Sequence, residues 1–329
     1  MTADLDVVGV GNALVDVISM ETDDFLERHG LVKGSMRLIE ADEAVTLYDA
    51  MGPGVEMSGG SAGNTLAGLA SLGGRGGFIG RVRDDQLGAV YAHDMRSVGL
   101  EFPVAAATSG PPTGRSLIVV TPDGERTMNT LLGAASDLSP DDVDESFVSR
   151  AQVTYLEGYL FDRELAGAAF QKAAAAAHAA GRRVALTLSD SFCVERFLEA
   201  FRALVEREVD LLFGNRDELC LLYETDDVEV ALAAAEQVCD LVVLTLGAEG
   251  SMVSQRGTRV RVPAEPVARV VDTTGAGDLY AAGFLYGITH GHDLETSAKL
   301  GSIAAAEVIS HVGPRPETVL AGLAAPLLA

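Results

Sequence analysis

The sequence predicts an α/β fold built on a mostly parallel sheet, and three observations carry that prediction. The runs "LDVVGVG", "RVALTL", "VDLLFG" and "LVVLTLG" have strand length and little polar alternation, as strands buried on both faces require. Helical stretches such as 164–180 and 227–238 alternate with them, the pattern of a parallel sheet covered by helices. The 329 residues are 48% hydrophobic and only 22% charged, enough for a sizeable core in one large domain carrying a small addition.

In chain order, the opening "MTADLDVVGVGNALVDVIS" contains Asp4, Asp6 and Asp16 and no basic segment, so it does not read as a secretory leader. Two stretches break the strand–helix rhythm. "GLVKGSMRLIE" (30–40) and "GPPTGRSLIVVTPDGERTMNTL" (110–131) read as short antiparallel strands, with "PDG" a turn signal. They predict a small β lid over one edge of the core, drawn from segments of roughly 16–40 and 102–132 in a single domain spanning 1–329. The Ala-rich run before Gly181 reads as a water-soluble helix because Lys172 and His178 interrupt it and the glycine closes it.

The net charge of −24 argues against a nucleic-acid scaffold or an anionic-membrane binder. Lysine occurs only at positions 33, 172 and 299, so cationic work falls to arginine. Cys193, Cys220 and Cys239 form neither a disulfide framework nor a zinc pattern, and a reducing cytoplasm is the expected location.

Two glycine clusters carry the chemistry. "EMSGGSAGNTLAGLASLGG" (56–74) contains G-x-S-x-G at 59–63, which would make Ser61 a hydrolase nucleophile if a buried strand preceded it. "MGPGVEM" is a poor strand, so the cluster reads instead as a turn that brings Gly59, Gly60, Ser61 and Asn64 close to a polyhydroxy ligand, or as a structural turn into a helix. In "VVDTTGAGDLYAAGFLYG" (270–287), a strand-like "ARVVD", a glycine turn and a helix start would aim N–H groups at an anion. Asp278 there is either a helix cap or a general base taking a hydroxyl proton beside a phosphoryl group. No Gly-Lys pair supplies a Walker motif, and "GVGNAL" lacks the third glycine of a dinucleotide fingerprint. His290, His292 and His311 have no metal-ligand spacing.

Together "GGSAGN" (59–64) and "DTTGAGD" (272–278) resemble the paired motifs of the PfkB (ribokinase-like) carbohydrate kinase family. "FGNRDE", with Asn215 and Glu218, is similar to its N-x-x-E motif, and "LTLGAEG", with Thr245, Gly247 and Gly250, to its nucleotide-contacting turn. The likeness runs from the first strand to "HVGPRP". It implies a ribokinase-like three-layer α/β/α core and ATP with Mg2+. It also implies Asp278 as base and an anion hole from the N–H groups of Gly275, Ala276 and Gly277. Asn215 and Glu218 would organise Mg2+ through water, Thr274 would lie on the nucleotide side, and Asp272 with Thr274 would be candidate ligands for a monovalent cation such as K+.

Within the family the details resemble the adenosine kinases. That likeness places Asn12 and Asp16 of "GNALVD" on ribosyl hydroxyls, Arg126 of "TPDGERTM" on the phosphates and Phe192 of "LSDSF" against a purine. Asp190-Ser191 stands where the eukaryotic type has Ala-Pro, an extra negative charge near the base. The expected reaction is ATP-dependent phosphorylation of the primary hydroxyl of a ribosyl nucleoside, adenosine to AMP first. The alternatives are a sugar kinase acting on ribose, fructose or a ketodeoxysugar, and an inactive sugar or nucleotide sensor. The expected partners are small molecules, neither nucleic acid nor membrane, for a monomer or homodimer.

Overall fold

Val7 and Val8 are adjacent, yet each is fully buried in a different hydrophobic core. Successive side chains of a strand point to opposite faces, so two cores mean helices on both sides of one sheet. The same alternation recurs at Ala185 and Leu186, Leu211 and Leu212, and Val243 and Leu244. The computed structural model describes residues 3–162 and 164–329.

Among the described residues, thirteen strands form two sheets: β1 (Leu5–Val10), β2 (Leu14–Met20), β3 (Met36–Leu38), β4 (Gly54–Ser58), β5 (Gly76–Ile79), β6 (Gly114–Val120), β7 (Arg126–Leu131), β8 (Ala151–Glu157), β9 (Arg183–Thr187), β10 (Leu211–Asn215), β11 (Leu241–Thr245), β12 (Ser251–Gln255) and β13 (Thr258–Val262). The large sheet runs β13-β12-β11-β10-β9-β8-β1-β5. It is parallel from β11 to β5, and only β12 and β13 pair antiparallel. Phe284 of the helix Ala276–Thr289 fills one core and Phe170 of the helix Glu164–Ala179 the other. Each such buried ring contributes about 1.5–3 kcal/mol.

The small sheet, β3-β7-β6-β2-β4, is the lid. It departs from the expectation in three ways. Gly54–Ser58, which overlaps the stretch read as a poor strand (51–57), is β4 and pairs antiparallel with β2. Its Gly54 and Val55 are exposed because it lies at the edge of the lid, and this removed the buried apolar signal by which strands are recognised. β3 pairs parallel, not antiparallel, with β7. Finally, residues 102–113 contribute irregular backbone with one isolated bridge at Ala107, not a lid strand.

The strand expected at "ARVVD" is also absent: residues 263–275 run as irregular backbone into the helix Ala276–Thr289, with Val270 and Val271 exposed. Val271 N bonds Ile309 O, so this segment follows the C-terminal loop instead of a sheet neighbour. No helix among the described residues is long and apolar enough to cross a membrane.

Candidate active site

Five parallel strands of the large sheet deliver residues at or just beyond their carboxyl ends to one cavity of about 510 Å3. They are Asn12 after β1, Glu157 of β8, Thr187 of β9, Asn215 of β10 and Thr245 of β11. Open parallel sheets bind ligands at this edge. The lid closes the cavity from the other side through Asp16, Ser116, Ile118, Met128 and Thr130.

The two glycine motifs meet here. Gly60 (φ 82°) lets β4 turn sharply into the helix Ser61–Ser71, and Gly275 (φ 79°) does the same for the helix Ala276–Thr289. A side chain at either glycine would need the left-handed backbone that only glycine adopts without cost. Asp278 lies in the first turn of its helix, but Gly275 occupies the cap position, so Asp278 does not cap. Its carboxylate instead accepts from Ser61 Oγ (2.6 Å) and Asn64 Nδ2 (3.0 Å). Burial pushes the Asp278 carboxyl above its ordinary range, while Ser61, Asn64 and the Arg315 charge oppose that shift. A carboxylate with raised proton affinity, partly open to the cavity, is suited to accept a hydroxyl proton.

Asp16 is buried on β2 and faces the same cavity. Burial raises its carboxyl to about 7 against the pull of Arg315 and Arg126. Asn12 is oriented by Glu157, whose Oε1 accepts from Asn12 Nδ2 while Oε2 accepts from Ala62 N, both at 2.8 Å. Gly59 is not part of the cavity wall; it packs against the Asp16 carboxylate.

Around the anion turn, Ala276 N donates to Thr273 O (3.2 Å), so in this conformation that N–H serves the turn itself. The first N–H groups of a helix have no intrahelical acceptor, and Gly277 carries one of them at the cavity wall. Arg126 reaches across from the lid. Its Nη1 donates to Thr274 Oγ1 (3.1 Å) and its Nη2 lies 2.9 Å from Asp272 Oδ2, both side chains of this pair being nearly fully buried. Asp272 further accepts from Thr274 N and Gly313 N. The oxygens expected to meet a monovalent cation are thus engaged by a guanidinium.

Asn215 and Glu218 form a reciprocal capping box on the helix Arg216–Leu222: Asn215 Oδ1 accepts from Glu218 N, and Glu218 accepts from Asn215 N and Nδ2 at 2.7–2.9 Å. Both line the cavity, and burial lifts Glu218 to about 7. Their hard oxygen donors suit Mg2+ held through water. Thr245 lines the cavity; Gly247 and Gly250 form the turn behind it and do not.

Phe192 stands 59% exposed at the cavity wall, beside Phe197 and Cys193. Asp190, the extra negative charge of the sequence, caps the helix Ser191–Arg196 by accepting from Cys193 N at 2.7 Å. Its charge is directed into a helix end and is not part of the cavity wall. Glu157, Ser189 and Tyr159 also line the cavity and were missed. Only the position of Glu157 at the end of a parallel strand could have signalled it.

Residues 34–319 match the pfkB family of carbohydrate kinases. Adenosine kinase of Saccharomyces cerevisiae is 30% identical over 337 residues, covering 95% of this chain and 97% of that protein. A 5-dehydro-2-deoxygluconokinase of Bacillus licheniformis is 27% identical over 317 residues, covering 93% and 90%. The crystal structure of adenosine kinase from Sinorhizobium meliloti superposes with a TM-score of 0.92 at 52% identity, over 98% of this chain and 99% of that one. The meeting of the two glycine motifs at Asp278, on a ribokinase-like α/β fold, has the same explanation as these similarities: the chain belongs to the PfkB carbohydrate kinase family, phosphotransferases with an alcohol group as acceptor.

Proposed function

We propose that this kinase phosphorylates the 5′-hydroxyl of a ribosyl nucleoside, adenosine first, with ATP as donor. The observation that carries the reading is the two-sided cavity. A polar floor of Asn12, Asp16, Asn64 and Asp278 suits vicinal hydroxyls and a CH2OH group. An apolar wall of Leu38, Ile118, Met128, Phe192 and Phe197 suits a flat heteroaromatic base. A small polyhydroxy acid would leave most of that wall unused. The 52% identity to a bacterial adenosine kinase supports the same choice.

In this reading Asp16 accepts from the ribosyl hydroxyls and fixes the CH2OH toward Asp278, which takes its proton as the oxygen attacks the terminal phosphoryl group. The N–H groups of Gly275 and Gly277 and the N-terminal end of the helix stabilise charge on the transferring group, joined by that of Ala276 once it leaves Thr273 O. Arg126 exchanges Asp272 and Thr274 for phosphate oxygens as the lid closes, excluding water. Mg2+, organised through water by Asn215 and Glu218, would neutralise phosphate charge. A monovalent cation at Asp272 and Thr274 requires that Arg126 leave first, so no step is assigned to it; a rate equal in potassium and in an inert salt would remove it from the site.

The test is ATP consumption with adenosine, inosine, ribose, fructose and 5-dehydro-2-deoxygluconate, beside the Asp278→Asn variant. Adenosine with the highest kcat/KM supports the reading. A higher kcat/KM for any free sugar or sugar acid overturns it in favour of a sugar kinase.

A further inference from the structure

The turn from Gly59 to Asn64 has charge on three sides. At one end the Asp16 carboxylate packs against the Cα of Gly59. In the middle Ser61 Oγ and Asn64 Nδ2 hold the Asp278 carboxylate. At the other end, a methyl group placed on Gly63 would lie 2.9 Å from the Tyr91 hydroxyl and 3.4 Å from Arg315 Nη2. Arg315 follows Pro314, which packs on Gly275 and so ties the C-terminal loop to the anion turn. The Arg315 side chain has an unusual setting. Its Nη2 meets Met95 Sδ at 3.9 Å, its Nε is buried without a hydrogen-bond partner, and no carboxylate among the described residues pairs with it. The Tyr91 hydroxyl beside it is also buried and unpartnered. A guanidinium so placed forfeits hydration without gaining a direct ion pair, which calls for a compensating field.

We propose that Arg315 is the shared counter-charge of Asp16 and Asp278, a positioning residue that favours the ionised form of both carboxylates across the glycine turn. This rests on the reading of Asp278 as proton acceptor. The carboxylates whose charge acts on Arg315 are Asp16 of β2, Asp94 of the helix Gln86–Ser97 and Asp278 of the helix Ala276–Thr289, and the titratable Tyr91 of the helix Gln86–Ser97, kept neutral by burial, lies beside it. Asp278 also faces Glu157 and Tyr155 of β8 and Tyr159 beyond it, and Asp16 also faces Arg126 of β7. Arg315 opposes the upward shift that burial imposes on each carboxyl. Arg126 cannot substitute for it, because Asp272 and Thr274 engage it and the mechanism sends it to phosphate.

The experiment compares Arg315→Met, Arg315→Gln and Arg315→Lys with the wild type by two readouts. One is the pH dependence of kcat/KM for adenosine; the other is 13C NMR titration of the Asp278 carboxyl, assigned with Asp278→Asn. Losing an opposite charge near a carboxylate shifts its pKa by about one unit or more. In either neutral variant the acid limb and the carboxyl titration should therefore move up by about one pH unit, with the rate recovering toward alkaline pH, while Arg315→Lys stays near the wild type. Gln keeps part of the stem and a donor, so it serves if Met fails to fold. A carboxyl titration unmoved in a folded neutral variant overturns the proposal, as does a Lys variant that behaves like Met. If the wild type phosphorylates no nucleoside, the functional reading fails by itself, and the NMR titration still decides the role of Arg315.

Discussion

Ser61 Oγ donates to Asp278 Oδ1 at 2.6 Å, closing a hydrogen bond between turns 217 residues apart in sequence. The bond exists only because both glycine turns end in helix starts at the same cavity. It favours the ionised carboxylate against the burial that disfavours it. Ser61→Ala should therefore raise the proton affinity of Asp278. In the proposed mechanism Asp278 must be deprotonated to accept the hydroxyl proton, so activity should fall at low pH and recover at high pH. A hydrogen bond to a charged group contributes about 1.5–3 kcal/mol, which corresponds to about one to two pH units on the acid limb. An acid limb that stays in place in a pH–rate profile would show that Ser61 serves the substrate instead.

Asp278→Asn retains the shape of the site and removes the proton acceptor. Turnover should drop by about 10²–10⁴ while ATP affinity, measured calorimetrically, changes little. The variant should also melt no lower than the wild type, because a buried carboxylate is replaced by a neutral amide. Turnover within tenfold of the wild type would remove Asp278 as the base.

The large sheet was legible because its strands are apolar on both faces, and the Asp278 turn was legible because "GGSAGN" and "DTTGAGD" resemble paired family motifs. The lid was only half legible. Its edge strand Gly54–Ser58 buries little apolar surface, so no periodicity marked it, and the parallel pairing of β3 with β7 depends on a long-range register. Glu157 lies in no motif, and Arg315 stands in "HVGPRP" with nothing there to mark its role. A buried carboxylate and a buried guanidinium acquire their roles from neighbours such as Asn12 and Gly63, and proximity of that kind is not written in local sequence.

Asp190 illustrates how structure changes the meaning of a residue. As the cap of the helix Ser191–Arg196 it should matter for stability and not for substrate choice. Asp190→Ala should cost about 1 kcal/mol in urea unfolding, and Asp190→Asn should restore most of it. The KM for adenosine should stay within about twofold in both. A marked gain in nucleoside affinity with the neutral variants would mean that the charge acts on the base.

Phe192 separates the nucleoside reading from the sugar reading within one protein. Stacking of a base on an aromatic ring contributes about 1–3 kcal/mol by alanine substitution. Phe192→Ala should raise the KM for adenosine by about 5- to 150-fold and leave kcat within about threefold, because a phenyl ring has no group that can take up a proton or hold a phosphoryl oxygen. Ribose, offered as acceptor, should show no change. A loss of kcat with unaltered KM would place the ring in the alignment of the phosphoryl group instead.

Glu157 predicts how stability depends on pH. Burial raises its carboxyl to about 7 in the folded protein, against 4.5 for an ordinary glutamate, and the donors Ala62 N and Asn12 Nδ2 only partly oppose this. A carboxyl whose folded value is raised holds its proton more tightly when folded. Its contribution to stability is therefore complete below about 4.5 and is lost as pH rises through about 7. Glu157→Gln removes this titration but sets an amide N–H2 against one of the two donors, lowering stability at acid pH. Between pH 5 and 7 the fall in stability on raising pH should be shallower in the variant, by up to about 1.4 kcal/mol per pH unit. Urea unfolding at half-unit pH intervals measures both slopes. Parallel curves for variant and wild type would mean that Glu157 is already ionised at pH 5, its charge carried by Asn12 and the N-terminus of the helix Ser61–Ser71.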